Sequence, residues 1–142
     1  MKILVVGSGG REHAITYRLS QDAAGHSLFC APGNAGTAAI ATNLDLASDD
    51  IDGIVAWSKK ENVDLVVVGP EAPLVKGLVD ALEKESIPAF GPVKAGAMME
   101  GSKRFAKEIM DAFRGEHFKA IFDFANFVQA DQNTWEAYEL LK

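Results

Sequence analysis

Three short apolar runs in this chain each end in a loop rich in glycine or proline. Gly7-Ser8-Gly9-Gly10-Arg11-Glu12-His13 follows the first, Pro32-Gly33-Asn34-Ala35-Gly36-Thr37 the second, and Gly69-Pro70-Glu71-Ala72-Pro73-Leu74 the third. The run Lys2–Val6 is continuously apolar rather than alternating, the pattern of a strand covered on both faces. In a parallel sheet such loops all leave the carboxyl edge, where open α/β sheets bind ligands. The pattern therefore predicts one pocket assembled from three separated stretches.

The segments between these loops read as helices and further strands. Helical spacing of Ala14, Ile15 and Leu19, with the Arg18 stem, predicts a helix over Glu12–Ser20. Ser27–Ala31 reads as a second strand, and Ile40–Leu46 as a brief extended segment. Ser48-Asp49-Asp50 offers helix caps ahead of a helix over Ile51–Lys60, with Ile51, Ile54, Val55 and Ser58 facing inward. Asp64–Val68 is the clearest strand. Leu74–Glu85 reads as one helix with Leu74, Leu78, Ala81 and Leu82 on its buried face. Ile87–Phe90 reads as a strand, and a further helix starts at Gly101-Ser102-Lys103 and runs to Ala112. Alternating strands and helices with right-handed crossovers predict an α/β fold, a doubly wound parallel sheet. A composition break near Phe113 sets off a tail, 113–142, with Phe118, Ile121, Phe122 and Ala125 on one helical face. Asn133-Thr134-Trp135-Glu136 resembles a helix start. Two readings stand for this helical tail: a cover for sheet surface, or an aromatic face for self-association or a partner chain.

Charge and cysteine content narrow the function classes. A net charge of -6 argues against a nucleic-acid surface and against adsorption to anionic membranes. Cys30 is the single cysteine, so an internal disulfide is excluded. The run Met1–Val6 is too short for a signal peptide, and no stretch approaches the roughly 20 apolar residues of a membrane span. The expected compartment is the cytoplasm.

The loop Gly7–His13 passes from a strand into a helix, so its N–H groups and the helix dipole favour an anion. A dinucleotide fingerprint would place a small residue at position 12 and an acid at the end of the second strand. This chain has Glu12 and Phe29-Cys30-Ala31-Pro32 there, which disfavours a dinucleotide-dependent oxidoreductase. A phosphate or phosphosugar fits better, with Arg11 adding a charge-assisted contact or standing solvated. The Asn34 amide can hold ribose hydroxyls or simply serve a turn of positive φ. Glu71, stiffened by Pro70 and Pro73, can accept bonds from an amine or from hydroxyls, or act as a helix-start acid. His13 reads as a packed histidine and Cys30 as a small buried residue. No spacing suggests a metal site or a nucleophile elbow. Lys103, Arg104 and Lys107 form a basic helix cluster, either a solvated face or a nucleotide-phosphate contact.

The blocks Val6–Ala14, Ala31–Thr37, Val68–Leu74, Phe90-Gly91-Pro92 and Glu100–Lys107, in this order and spacing, resemble the phosphoribosylamine–glycine ligase family of purine biosynthesis. The match runs from Met1 to about Ala112. The resemblance implies the Rossmann-like N-terminal domain of an ATP-grasp enzyme. In that family ATP activates glycine as an acyl phosphate, and the amine of 5-phosphoribosylamine attacks it. By that resemblance Ser8, Gly9, Gly10 and Arg11 lie on the loop near the phosphoribosylamine. Asn34, Gly36 and Thr37, and Pro70 and Glu71, occupy the other two rim loops. Lys103 falls where the family's chain passes toward its ATP-binding part, a cofactor-side contact.

After Ala112 the family continues into its ATP-grasp domains, whereas this chain reads Phe113-Arg114-Gly115-Glu116-His117-Phe118. The resemblance thus places ATP and Mg2+ in the full-length family and leads us to expect neither on this chain alone. Two domains are expected, 1–112 and the tail 113–142. The chain is expected to be a truncated, fused or frame-altered product, inactive by itself. The rival reading is a non-catalytic phosphosugar-binding or partner-docking module.

Overall fold

The computed structural model describes residues 1–101 and 104, so Lys103 and the tail 113–142 lie outside the described residues. The chain divides into two compact units, Met1–Ser102 and Lys103–Lys142. The elements that follow belong to the first. Five strands are all parallel: β1 (Lys2–Gly7), β2 (Ser27–Pro32), β3 (Thr42–Asn43), β4 (Leu65–Val68) and β5 (Ala89–Phe90). They lie in the order β3-β2-β1-β4-β5, with β1 at the centre and Val5 opposite both Cys30 and Val67. The helices are α1 (Gly10–Ser20), α2 (Ile51–Lys60), α3 (Glu71–Lys76), α4 (Leu78–Lys84) and α5 (Lys94–Gly101). A 3-10 turn covers Thr37–Ala39.

Strand pleating sends successive side chains of β1 to opposite faces. Leu4 and Val6 join Val66, Val68, Ile54, Leu78 and Leu82 on one face, under α2 and α4. Ile3 and Val5 join Leu28, Cys30 and Val67 on the other, where Ile15 and Leu19 of α1 pack. Helices on both faces of a parallel sheet make this an α/β, doubly wound fold. Leu4, Ile54 and Leu82 have no exposed surface, and each contributes roughly 1.5–3 kcal/mol of burial. Among the described residues no helix is long and apolar enough to cross a membrane.

α2 has the predicted bounds. Asp50 caps it, accepting from the Gly53 N–H at 3.0 Å, and Ile54 and Ser58 are its buried positions. Elsewhere the structure departs from the apolar pattern. Ala14 and Arg18 of α1 are exposed, and the buried positions are Glu12 and Thr16. A polar pair can occupy that face because each group is bonded: the Thr16 hydroxyl donates to the Glu12 carbonyl at 2.7 Å and lies 3.4 Å from Cys30 Sγ.

The helix expected over Leu74–Glu85 is two helices. Gly77, at φ 94°, takes the left-handed conformation that ends α3, and α4 begins at once. Helix also starts earlier than expected, at Glu71, because Pro73 is tolerated in a first turn where no N–H bond is made. The strand expected over Ile87–Phe90 is only Ala89–Phe90: the Ile87 N–H turns back to Leu82 O, and Pro88 has no N–H to pair. The extended segment expected over Ile40–Leu46 shortens to Thr42–Asn43. A helix runs over Lys94–Gly101, ahead of the start expected at Gly101-Ser102-Lys103; the rest of the expected span to Ala112 lies outside the described residues except Arg104. Its opening Lys94 N–H donates to Asp80 of α4 at 2.7 Å, a cap supplied from 14 residues away.

Candidate functional site

Connections from β1 run to one side of the sheet, through β2 to β3, and from β4 to the other, to β5. The loops after β1 and β4 therefore separate at the centre of the sheet and leave a crevice, the place where ligands bind in open α/β sheets. A cleft of about 390 Å³ lies there, with Gly9, Gly10, Arg11 and Glu12 on one side and Pro70 and Glu71 on the other. Leu74, Pro92 and Ala97 supply its apolar lining.

The first loop is shaped by its own helix start. Gly9 is the N-cap of α1 and Glu12 the third helical residue, and the Gly9 N–H donates to Glu12 Oε2 at 2.7 Å. This single bond takes up the Gly9 N–H, one of the groups at the helix start that could otherwise meet an anion. The first helical bond of α1 runs from the His13 N–H to Gly9 O, so the N–H groups of Gly10, Arg11 and Glu12 have no intrahelical acceptor. These three, with the helix dipole, favour negative charge.

Arg11 joins the first loop to the third: its Nη1 donates to the Gly69 carbonyl at 2.9 Å. A guanidinium carries five N–H donors, so one such bond leaves capacity for a ligand. Glu71 is the first residue of α3, exposed, and borders the same cleft. One guanidinium and the exposed Glu71 carboxylate thus share the cleft with a helix start, while the Glu12 carboxylate is turned to the Gly9 N–H. That combination suits a ligand with an anionic end and an amine or hydroxyl end.

The second loop is a buttress to the first. Asn34 Oδ1 accepts from the N–H groups of Gly36 (2.8 Å) and Thr37 (3.0 Å). Its Nδ2 donates to Ser8 O at 2.8 Å, with Gly9 O at 3.4 Å. The Thr37 hydroxyl accepts from the Asn34 N–H at 2.7 Å and lies 2.8 Å from Asn43 Oδ1. The half-buried His13 ring lies against Gly36, where an added Cβ would come within 2.7 Å of Cε1. Both ends of the Asn34 amide are therefore engaged within the protein. The left-handed position in this loop is Gly33, at φ 73°, rather than Asn34.

Of the residues singled out in the sequence, Gly9, Gly10, Arg11, Pro70 and Glu71 line the cleft, while Ser8, Asn34, Gly36 and Thr37 brace the rim behind it. Lys103 lies outside the described residues. In the sequence Glu12 stands out only as a departure from the dinucleotide fingerprint. The signal that could have found it is its spacing, an acid three residues after an N-cap. Leu74, Pro92 and Ala97 carried no polar signal and reach the cleft only through chain folding.

Residues 1–100 match the family model described as "Phosphoribosylglycinamide synthetase, N domain". Among curated proteins, the phosphoribosylamine–glycine ligase of Allochromatium vinosum is 51% identical over 112 residues, covering 78% of this chain and 26% of the relative. That of Rhodopirellula baltica is 53% identical over 108 residues, covering 76% and 25%. That of Caldanaerobacter subterraneus is 42% identical over 137 residues, covering 95% and 33%, an alignment that necessarily runs past Ala112. The crystal structure of the Thermotoga maritima phosphoribosylamine–glycine ligase is similar with a TM-score of 0.56 at 31% identity, covering 79% of this chain and 25% of that one. The chain spans about a quarter to a third of the length of these relatives.

Proposed function

The chain belongs to the phosphoribosylglycinamide synthetase N-domain family, and from that premise we propose that its cleft holds the phosphoribosylamine partner of a phosphoribosylamine–glycine ligase. The observation that carries the reading is the meeting of the α1 start, Arg11 and Glu71 at the sheet's switch point. In this reading the phosphate end sits at the N–H groups of Gly10 and Arg11, with the guanidinium beside it. The Glu71 carboxylate accepts from the ribosyl amine or hydroxyls, and Pro70 sets its approach. Ser8, Asn34, Gly36 and Thr37 act through the backbone they hold in place. The dinucleotide oxidoreductase reading is set aside, since Glu12 fills the position where close helix–strand packing requires a small residue.

ATP and Mg2+ belong to the family's full-length enzyme in this reading. Among the described residues no three His, Cys, Asp or Glu side chains gather so as to hold a metal ion. The reaction these ligases are named for, the cytoplasmic setting and the division at Ala112 are parts of the same reading.

Titration of the isotope-labelled chain with ribose 5-phosphate tests it. Amide shifts are expected to cluster at Gly9–Glu12 and around Glu71. Shifts clustered elsewhere, or none at millimolar ligand, overturn the reading.

A further inference from the structure

Glu12 is only 5% exposed, an uncommon place for a carboxylate, which is seldom buried unless paired. Its partner is the Gly9 N–H at 2.7 Å, a charge-assisted bond. Its surroundings are three glycine backbones drawn from both loops of the cleft. A Cβ at Gly7 would come within 2.6 Å of Glu12 Cγ, one at Gly9 within 2.8 Å of Oε2, and one at Gly69 within 2.6 Å of Cδ. Real Cβ atoms do not approach so closely, so the side chain takes up space that glycine leaves open at all three positions. From the next residue, Arg11 ties the same two loops through Gly69 O at 2.9 Å. The carboxylate also stands beside N–H groups that favour an anion, so its negative charge opposes a phosphate there. Charge therefore does not explain the residue's place in an anion-binding cleft, whereas its length does.

We propose that Glu12 is a positioning residue, a strut between the first and third loops whose length, rather than its charge, gives the cleft the shape that phosphosugar binding requires. The proposal rests on the reading of the cleft as a phosphosugar site, but its structural half can be measured without ligand. Glutamine keeps the length and can still accept from the Gly9 N–H, whereas alanine removes the strut.

The test compares the full 142-residue chain with Glu12→Gln and Glu12→Ala, reading ribose 5-phosphate affinity, the amide signals of Gly9 and Gly69, and melting temperature. Glu12→Gln is expected to keep both amide signals near their original positions and to bind as tightly as the parent or more tightly. Glu12→Ala is expected to move both signals and to weaken binding on the order of tenfold or more. A glutamine variant that loses as much affinity as the alanine variant overturns the proposal, because the charge itself is then required. An alanine variant that binds like the parent overturns it as well. If Glu12→Ala does not fold, Glu12→Asp, one methylene shorter, takes its place with a smaller loss expected. If the parent chain itself fails to bind ribose 5-phosphate, the phosphosugar reading falls. The strut then stands only if alanine moves Gly69 as well as Gly9 and glutamine restores both; movement of Gly9 alone, or of neither, removes it.

Discussion

Gly69→Ala probes the contact on which the cleft's geometry turns. Gly69 is not in the left-handed region, so its backbone accepts alanine without strain. On that ground alone the substitution stabilises by about 0.4–1 kcal/mol, by restricting the unfolded chain. The methyl group, however, falls within 2.6 Å of Glu12 Cγ and Cδ, so the Glu12 side chain must leave its place. Leaving breaks the bond from the Gly9 N–H, a hydrogen bond to a charged acceptor contributing about 1.5–3 kcal/mol. The difference is a net destabilisation of about 1–2 kcal/mol. Urea unfolding at neutral pH reads this as a lower midpoint at unchanged slope. The cause is isolated by repeating the substitution in a Glu12→Ala background, where the space is already vacant. There Gly69→Ala should stabilise by about 0.4–1 kcal/mol, a coupling of about 1.5–3 kcal/mol between the two sites. An equal loss in both backgrounds, or a Gly69→Ala chain as stable as the parent, refutes the argument that Glu12 packs between the loops.

Glu71→Gln should weaken ribose 5-phosphate binding with little change in melting temperature. A stability loss of a few tenths to ~1 kcal/mol with unchanged binding would instead make Glu71 a helix-start acid only. Asp50→Ala removes the cap of α2 and should cost about 1 kcal/mol in chemical denaturation, while Asp50→Asn restores most of it. The Asp22 carboxyl is held below its ordinary 3.8, first by the Ala24 N–H and then by His26; that of Asp49 is held down by its hydrogen bond to Lys76. A depressed folded-state pKa gives stability that is present above the unfolded value and lost as pH falls through the folded one. Melting temperature measured downward from pH 6 should therefore fall most steeply below about 4, and the slope should be shallower in a chain carrying Asp22→Asn and Asp49→Asn. An unchanged slope would show that these two carboxyls do not contribute to it.

Local chemistry already determined much of this protein. Consecutive branched apolar residues in Ile3–Val6 and Leu65–Val68, each followed by glycine, mark strands covered on both faces. The Asp50 cap and the period of Ile51, Ile54, Val55 and Ser58 mark α2 to the residue. The three loops that end apolar runs point to one sheet edge, because parallel strands all end in the same direction. Five motif blocks in one order carry the family. Other features depended on neighbours distant in the chain. The start of α5 depends on Asp80, and no local cap announces it. The buried face of α1 is polar because the Glu12 carboxylate finds Gly9, and Thr16 the Glu12 carbonyl, so the apolar spacing that includes Ala14 does not mark that face. Gly77 lies inside an unbroken amphipathic pattern and ends α3 only because the folded chain turns there. In the sequence the Asn34 amide could serve a ligand or a turn; in the fold its four amide partners come from the first and second loops. Pattern reports what one segment prefers by itself. Which polar group meets which, and whether a glycine serves a turn or makes room for a carboxylate, is decided only when separate loops are brought to the same edge of the sheet.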